Sequence, residues 1–305
     1  MIDRSADSVV SLRGLHKSFG QIQAVDNLSL NVHKGDVYGF LGPNGSGKST
    51  TLRMMLNLIK PDSGEVLLFG ERLTTRSRKA LSKVGSLIER PDFYNYISAM
   101  RNLELMAGYS GIRTDRKHLN ALFETVGLAG RERSKVKTYS QGMKQRLGIA
   151  QALLHNPELI VLDEPVNGLD PQGIRDMREL MLRLNREQGK TLIVSSHILR
   201  EMELIANRMV VISKGKVVAE GEVQTLINQS SHTLSLLTNR PDEVVVLLKN
   251  RFPHLPLLLL PNGEIELKAP SKEAPALSRI IVESGFELHK LNSRNSLEDY
   301  FLQVT

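Results

Sequence analysis

Gly42-Pro43-Asn44-Gly45-Ser46-Gly47-Lys48-Ser49-Thr50 sets two glycines five positions apart, the second directly ahead of a Lys-Ser pair. This is the phosphate-binding P-loop pattern. An apolar, strand-like segment precedes it, Asp36 to Leu41. A helical pattern follows over Thr51 to Leu58, with apolar residues at Leu52, Met55, Leu56 and Ile59. Strand, loop and helix together are the context the motif requires. The glycines let the backbone curl until several N–H groups of Gly42, Asn44, Gly45, Ser46, Gly47 and Thr50 face one anion. A helix opening at Lys48 adds its positive dipole end and its unpaired N–H groups. Lys48 can reach β- and γ-phosphates, and the Ser49 hydroxyl can ligate Mg²⁺. The stretch therefore implies a nucleoside triphosphate.

The rest of the composition fits one large domain or up to two ordinary ones: 305 residues, 41% hydrophobic and 24% charged. With no cysteine, disulfides, thiolate metal sites and cysteine nucleophiles are excluded; this is compatible with the cytosol, where ATP is found. Met1 to Ser5 lacks the apolar core of a secretory leader, so none is expected. No run approaches the roughly 18 apolar residues of a membrane helix; Leu257 to Leu260, between two prolines, is far shorter. The net charge of +7 lies in the first three quarters of the chain, while residues 230–305 are nearly neutral. A basic body suits a nucleotide, an anionic membrane surface or nucleic acid. It is equally an ordinary solvated surface.

Along the chain, Val9–Leu15 and Leu28–Val32 read as strands, and Phe19 between them is either a core residue or a face for an adenine ring. Glu65–Phe69 and Val84–Ile88 are further strands. Ser98–Gly127 turns helical, as an insert between strands. Ser140 then opens a helix through Leu147, Ala150 and Leu154. It is a helix cap or, with Gly142, a second anion site. Leu159-Ile160-Val161-Leu162-Asp163 is an apolar run of the kind buried on both faces of a parallel sheet, followed at once by Glu164. An acid at the carboxyl end of such a strand stands at the ligand crevice. Paired with the P-loop it reads as a Walker B element: Asp163 reaches Mg²⁺ through water, and Glu164 orients or deprotonates the attacking water. Thr191–Ser195 ends in Ser196-His197 at the same edge, and Arg208–Ser213 and Lys216–Glu220 flank the turn Lys214-Gly215. A helix to Gln229 closes the large domain.

These segments, in this order and spacing, resemble an ATP-binding cassette (ABC) ATPase over residues 8–229. The resemblance implies an α/β P-loop NTPase with a RecA-like core, an antiparallel β subdomain and an α-helical subdomain at about residues 90–157. It implies ATP and Mg²⁺ as cofactors and two subunits closing head-to-tail, a homodimer or a pair with a paralogous ATPase. Ser140 and Gly142 would contact the γ-phosphate held by the partner. Phe19 would stack on adenine, Glu89 would take the metal-facing Q-loop place, His197 would be the switch histidine, and Asp170 would lie in the D-loop at the dimer seam. A separate transmembrane permease, a location peripheral to the inner face of the cell membrane and no nucleic-acid partner are likewise implied.

The chain departs from the family pattern in two places. Where the signature usually reads Leu-Ser-Gly-Gly-Gln, this chain has Tyr139-Ser140-Gln141-Gly142-Met143. Glu89 replaces the usual Gln, and an ionised carboxylate cannot donate a hydrogen bond. Both departures resemble the bacitracin-efflux and lantibiotic-immunity branch of bacterial exporters. Residues 230–305 follow a β-α-β-β-α-β order ending in a helix over Ser296–Leu302, which suggests a ferredoxin-like accessory domain. It is read as a dimerisation or regulatory module, or as simple padding. The leading function is the ATPase of an exporter; the alternative is a non-transport cassette ATPase acting on ribosomes or DNA.

Overall fold

The computed structural model describes residues 8–74, 76–89, 91–229, 233–269, 273–294 and 301. The chain divides into two compact units, Met1–Glu222 and Val223–Thr305. The sequence reading set the division at 229/230; the structure places the helix over 223–229 in the second unit.

The first unit begins with two long antiparallel strands, β1 (Ser8–Phe19) and β2 (Ile22–His33), and continues into β3 (Val37–Leu41), whose five residues are all buried. Helix α1 (Lys48–Met55) follows, then β4 (Ser63–Leu68), β5 (Glu71–Arg72), the short α2 (Arg78–Leu81) and β6 (Val84–Leu87). The helical insert holds α3 (Ala99–Tyr109), α4 (Arg116–Thr125), one 3-10 turn over Val136–Thr138, and α5 (Gln141–Ala152). The rest of the unit comprises β7 (Leu159–Asp163), α6 (Pro171–Arg186), β8 (Thr191–Ser196), α7 (Leu199–Ile205), β9 (Arg208–Ser213) and β10 (Lys216–Glu222).

Two sheets result, one ordered β2-β1-β4-β5 and one ordered β10-β9-β3-β8-β7-β6. The first is antiparallel; in the second, five strands run parallel and only β10 is reversed. All residues of β3, β7 and β8 are buried, as expected of central parallel strands covered on both faces. One core joins β1, β2 and β4 to α1 and to inward residues of β3, β7, β8 and β9. Helix α6 buries Met177, Leu180, Met181 and Leu184 at helical spacing. At the amino ends of the strands, Asp36 accepts from the His33 N–H, Asn207 and Arg208, each at 2.9 Å, so its buried charge is paired.

The helical stretch predicted over Ser98–Gly127 is two helices. Gly111 takes the left-handed conformation (φ 67°), and the Gly111 and Ile112 N–H groups bond back to Gly108 and Ala107, which locks the end of α3. Asp115 then caps α4, accepting from the His118 N–H at 2.7 Å. Helices α2 and α7 went unpredicted because four and seven residues carry too little periodicity.

The second unit consists of α8 (Val223–Gln229), β11 (Thr233–Thr238), α9 (Pro241–Arg251), β12 (Leu257–Leu259), β13 (Ile265–Lys268), α10 (Ala274–Glu283) and β14 (Leu288–Arg294). Its sheet is ordered β12-β13-β11-β14 and all its pairings are antiparallel, the ferredoxin-like arrangement. Leu234 and Leu236 of β11, with Ile265 and Leu267 of β13, meet Val244 and Leu248 of α9 and Leu277 and Ile281 of α10 in a separate core. The predicted closing helix Ser296–Leu302 lies outside the described residues apart from Phe301. No helix among the described residues is long and apolar enough to cross a membrane.

Candidate functional site

Strand register brings the candidate residues to one edge. Leu41, the last residue of β3, pairs with Ser196 of β8; Ser195 pairs with Asp163 of β7; Leu162 pairs with Leu87 of β6. The P-loop, Asp163-Glu164, His197 and Glu89 all leave the sheet at its carboxyl edge, where ligands of open α/β sheets bind.

The P-loop is held by close backbone packing. Gly47 caps α1 at φ 103°, and a Cβ there would lie 2.3 Å from the Ala24 carbonyl oxygen. Only glycine fits at that position. The turn between β9 and β10 fastens the loop from the other side: the Gly215 N–H donates to Ser46 O, and Gly215 O accepts from the Asp26 N–H, each at 2.9 Å. Lys48 is buried and folds back to donate to Gly42 O at 2.7 Å and Pro43 O at 3.1 Å. Its Nζ lies 3.8 Å from Glu164 Oε1. Burial pushes the Lys48 pKa down, against the opposing pull of Glu164 and Asp163.

The carboxylates are individually supported. Ser195 Oγ donates to Asp163 Oδ1 and accepts from the Glu164 N–H at 2.9 Å. One serine near the end of β8 thus holds the Asp163 carboxylate that ends β7 and the backbone N–H of Glu164 that follows it. Glu164 takes a left-handed conformation (φ 50°), a strained backbone for a side chain of its size, and its Oε2 lies 2.7 Å from His197 Nδ1. Glu164, His197, Lys48, Asn44, Gly45, Gly47, Ser49, Thr50 and Asn167 line one open cleft, walled also by Ile22, Gln23 and Ala24 of β2 and by Lys214.

The residues fit a phosphate ligand. Ser46 Oγ is buried without a hydrogen-bond partner, and the Lys48 ammonium bonds only to its own loop's carbonyls and faces Glu164. The P-loop therefore carries one buried donor, the Ser46 hydroxyl, that the described residues leave without an acceptor. Among the described residues, no group of three or more His, Asp and Glu is placed to hold a metal alone. Ser49 and Asp163 would supply the protein's share of a Mg²⁺ shell, which ordinarily keeps waters and substrate phosphate oxygens.

Glu89, Phe19, Ser140, Gly142 and Asp170 are not among the residues that line the cleft. Glu89 (φ 70°) pairs with Arg53 of α1 and is not among the cleft's lining residues. Phe19 is 51% exposed at the end of β1, with the Lys17 ammonium 5.4 Å from its ring. That excludes the core reading and leaves an available aromatic face. Ser140 is exposed and caps α5, accepting from the Met143 N–H at 3.2 Å; Asp170 caps α6, accepting from the Gly173 N–H at 3.0 Å. Gly142 lies beside Ser140 in the first turn of α5.

Sequence reasoning missed Ser195, Lys214 and the Ile22–Ala24 wall. Ser195 left one signal, a hydroxyl pair ending an otherwise apolar strand. The wall left none, because its approach to Gly47 depends on how two sheets pack.

The ABC transporter family profile matches residues 25–167. The chain is 39% identical to the "Bacitracin transport ATP-binding protein BcrA" of Bacillus licheniformis, over 97% of each chain. It is 39% identical to the "Lantibiotic transport ATP-binding protein SrtF" of Streptococcus pyogenes, over 70% of this chain and 91% of that one. The dimeric post-hydrolysis structure of the ATP-binding cassette MJ0796, bound to ADP and Pi, superposes with a TM-score of 0.63 at 28% identity, covering 70% of this chain and 98% of that one.

Proposed function

The chain belongs to the ABC transporter family as an ATP-binding subunit that hydrolyses ATP in the presence of Mg²⁺, and from that premise we propose that it energises export of a peptide antibiotic or a similar amphiphile. Relatives named for bacitracin and lantibiotic transport support that cargo class. Such subunits work as dimers with a separate permease. Here the pair is read as a homodimer at the cytoplasmic face of the membrane.

The observation that carries the reading is the convergence of Lys48, Glu164 and His197 on the P-loop cleft. Mg²⁺ bound by Ser49 and Asp163 would neutralise phosphate charge. The P-loop amides and Lys48 hold the phosphates. Glu164 Oε2 orients the attacking water and takes its proton, and His197, now on that oxygen, fixes where the carboxylate points. Ser195 holds the Asp163 carboxylate and the Glu164 backbone N–H. Ser140 and Gly142 present a helix N-terminus to a phosphate held by the second subunit, and Phe19 offers its exposed face to the adenine.

The test is capture of tagged Glu164→Gln protein from detergent-solubilised native membranes with Mg-ATP. A polytopic membrane protein in fixed ratio is expected. Ribosomal proteins or nucleic acid without a permease would overturn the transport reading in favour of a cassette acting on ribosomes or DNA.

A further inference from the structure

Gln141 stands where the usual family signature has a glycine, and the structure gives its side chain a specific partner. Gln141 Nε2 donates to the Asn167 carbonyl at 3.1 Å. The acceptor is a carbonyl, so the amide must present its nitrogen. A second contact meets the same loop. Gly168 sits at φ +74°, and a Cβ on it would lie 2.6 Å from Gln141 Nε2. The amide thus occupies space that any other residue at 168 would fill. Next to it, a Cβ on Gly142 would rest 3.6 Å from Leu169 Cδ2. The first turn of α5 is seated on residues 167–169 of its own chain.

Those residues are continuous with Glu164. The Asn167 N–H donates to Glu164 O at 3.1 Å, closing a turn directly after the left-handed Glu164, and the Leu169 N–H donates to Val166 O at 3.3 Å. Asn167 also lines the cleft beside Glu164 and His197. The bond from Gln141 pulls on the carbonyl of the residue whose N–H closes that turn. It links the helical insert to the strained backbone that aims the Glu164 carboxylate.

We propose that Gln141 is a positioning residue for Glu164, holding the turn over residues 164–167 so that the carboxylate stays directed into the P-loop cleft. The proposal rests on Glu164 as the water-activating group. Movement of the helical insert would reach the hydrolytic centre of the same chain through this bond, before any contact with a second subunit.

The test compares full-length Gln141→Leu and Gln141→Lys with wild type and Glu164→Gln. The readouts are amide exchange over residues 164–170 without nucleotide, affinity for a fluorescent ATP analogue, and steady-state kcat and KM. Leu keeps the bulk without a donor; Lys restores a donor of similar reach. For Gln141→Leu, exchange at Asn167 and Leu169 should rise several-fold and kcat should fall about tenfold with KM and affinity unchanged, the size expected for one lost hydrogen bond. Gln141→Lys should recover most of both. If Gln141 merely started the helix, Lys would be the worse substitution, because a cation opposes the dipole at a helix N-terminus. Wild-type exchange and kcat in Gln141→Leu, or Lys performing below Leu, would overturn the proposal. Turnover in Glu164→Gln would instead overturn the role of Glu164, and the exchange data would still report whether the bond holds the loop.

Discussion

The P-loop edge and the signature segment, both proposed to meet phosphate, are finished to different degrees. At the P-loop edge the charged groups have internal partners: Lys48 its loop carbonyls, Asp163 the Ser195 hydroxyl, Glu164 the His197 ring. Ser140 is exposed and satisfies only the first turn of its own helix. One region is preorganised within the chain. The other is a surface whose ligand must come from outside, which is what a head-to-tail pair would supply.

The largest effect should come from breaking the finished side. Glu164→Gln removes the proposed base while keeping shape, so kcat should fall by about 10²–10⁴ with ATP affinity retained; turnover near wild type would end that assignment. Mixing Glu164→Gln with Ser140→Ala sharpens the comparison. If each site joins one chain's P-loop to the other's signature, the mixed dimer has one intact site, and an equimolar mixture should recover roughly a quarter of wild-type turnover. No recovery would mean that both segments serve the same chain's nucleotide.

Ser195→Ala should come next. It withdraws the donor to buried Asp163 and the acceptor of the Glu164 N–H, a loss of about 1.5–3 kcal/mol for a hydrogen bond to a charged group. That predicts a ten- to hundredfold weaker Mg²⁺ dependence of turnover, read by titrating Mg²⁺ at fixed ATP. Ser140→Ala alone should cost about 1 kcal/mol of stability through the lost cap, seen as a lower denaturation midpoint, and should leave the analogue's affinity for the separate chain unchanged.

The smallest effect lies in the second unit. Hydrogen bonds from Ser235 and then Lys290 hold the Glu264 pKa down to about 2, from its ordinary 4.5. The folded pKa is depressed, so the contribution is complete above the unfolded value and is lost as pH falls through about 2. The stability difference between wild type and Glu264→Gln should be constant above about pH 5 and shrink toward zero near pH 2. Denaturant titrations across that range measure it, and a pH-independent difference would remove the ionised Glu264 from the account.

Local patterns with a strong physical cause were legible in the chain. The P-loop, the apolar run ending at Asp163 and the cap at Ser140 each announce themselves within a dozen residues. What depended on tertiary placement was not. Phe19 read first as a core residue, with adenine stacking as the alternative, yet it is exposed, because its burial is set by where β1 ends. Glu89 was assigned to the metal by analogy, yet its side chain lies on Arg53, a partner 36 positions away that no spacing rule reveals. The helical insert looked continuous because apolar periodicity persists on both sides of Gly111, and only the left-handed turn separates α3 from α4.

The alignment of Leu41 with Ser196, and of Ser195 with Asp163, also fixes where this chain tolerates a change in length. Each strand residue advances about 3.3 Å and reverses the side-chain face. Deleting one residue from β8 would withdraw Ser195 by that distance and turn its hydroxyl to the other side of the sheet, stranding Asp163 without altering any catalytic residue. Extra residues in the exposed turn between α3 and α4 would shift nothing along those strands. Insertions for labelling or tethering therefore belong near Gly111, where the polypeptide can lengthen without moving its chemistry.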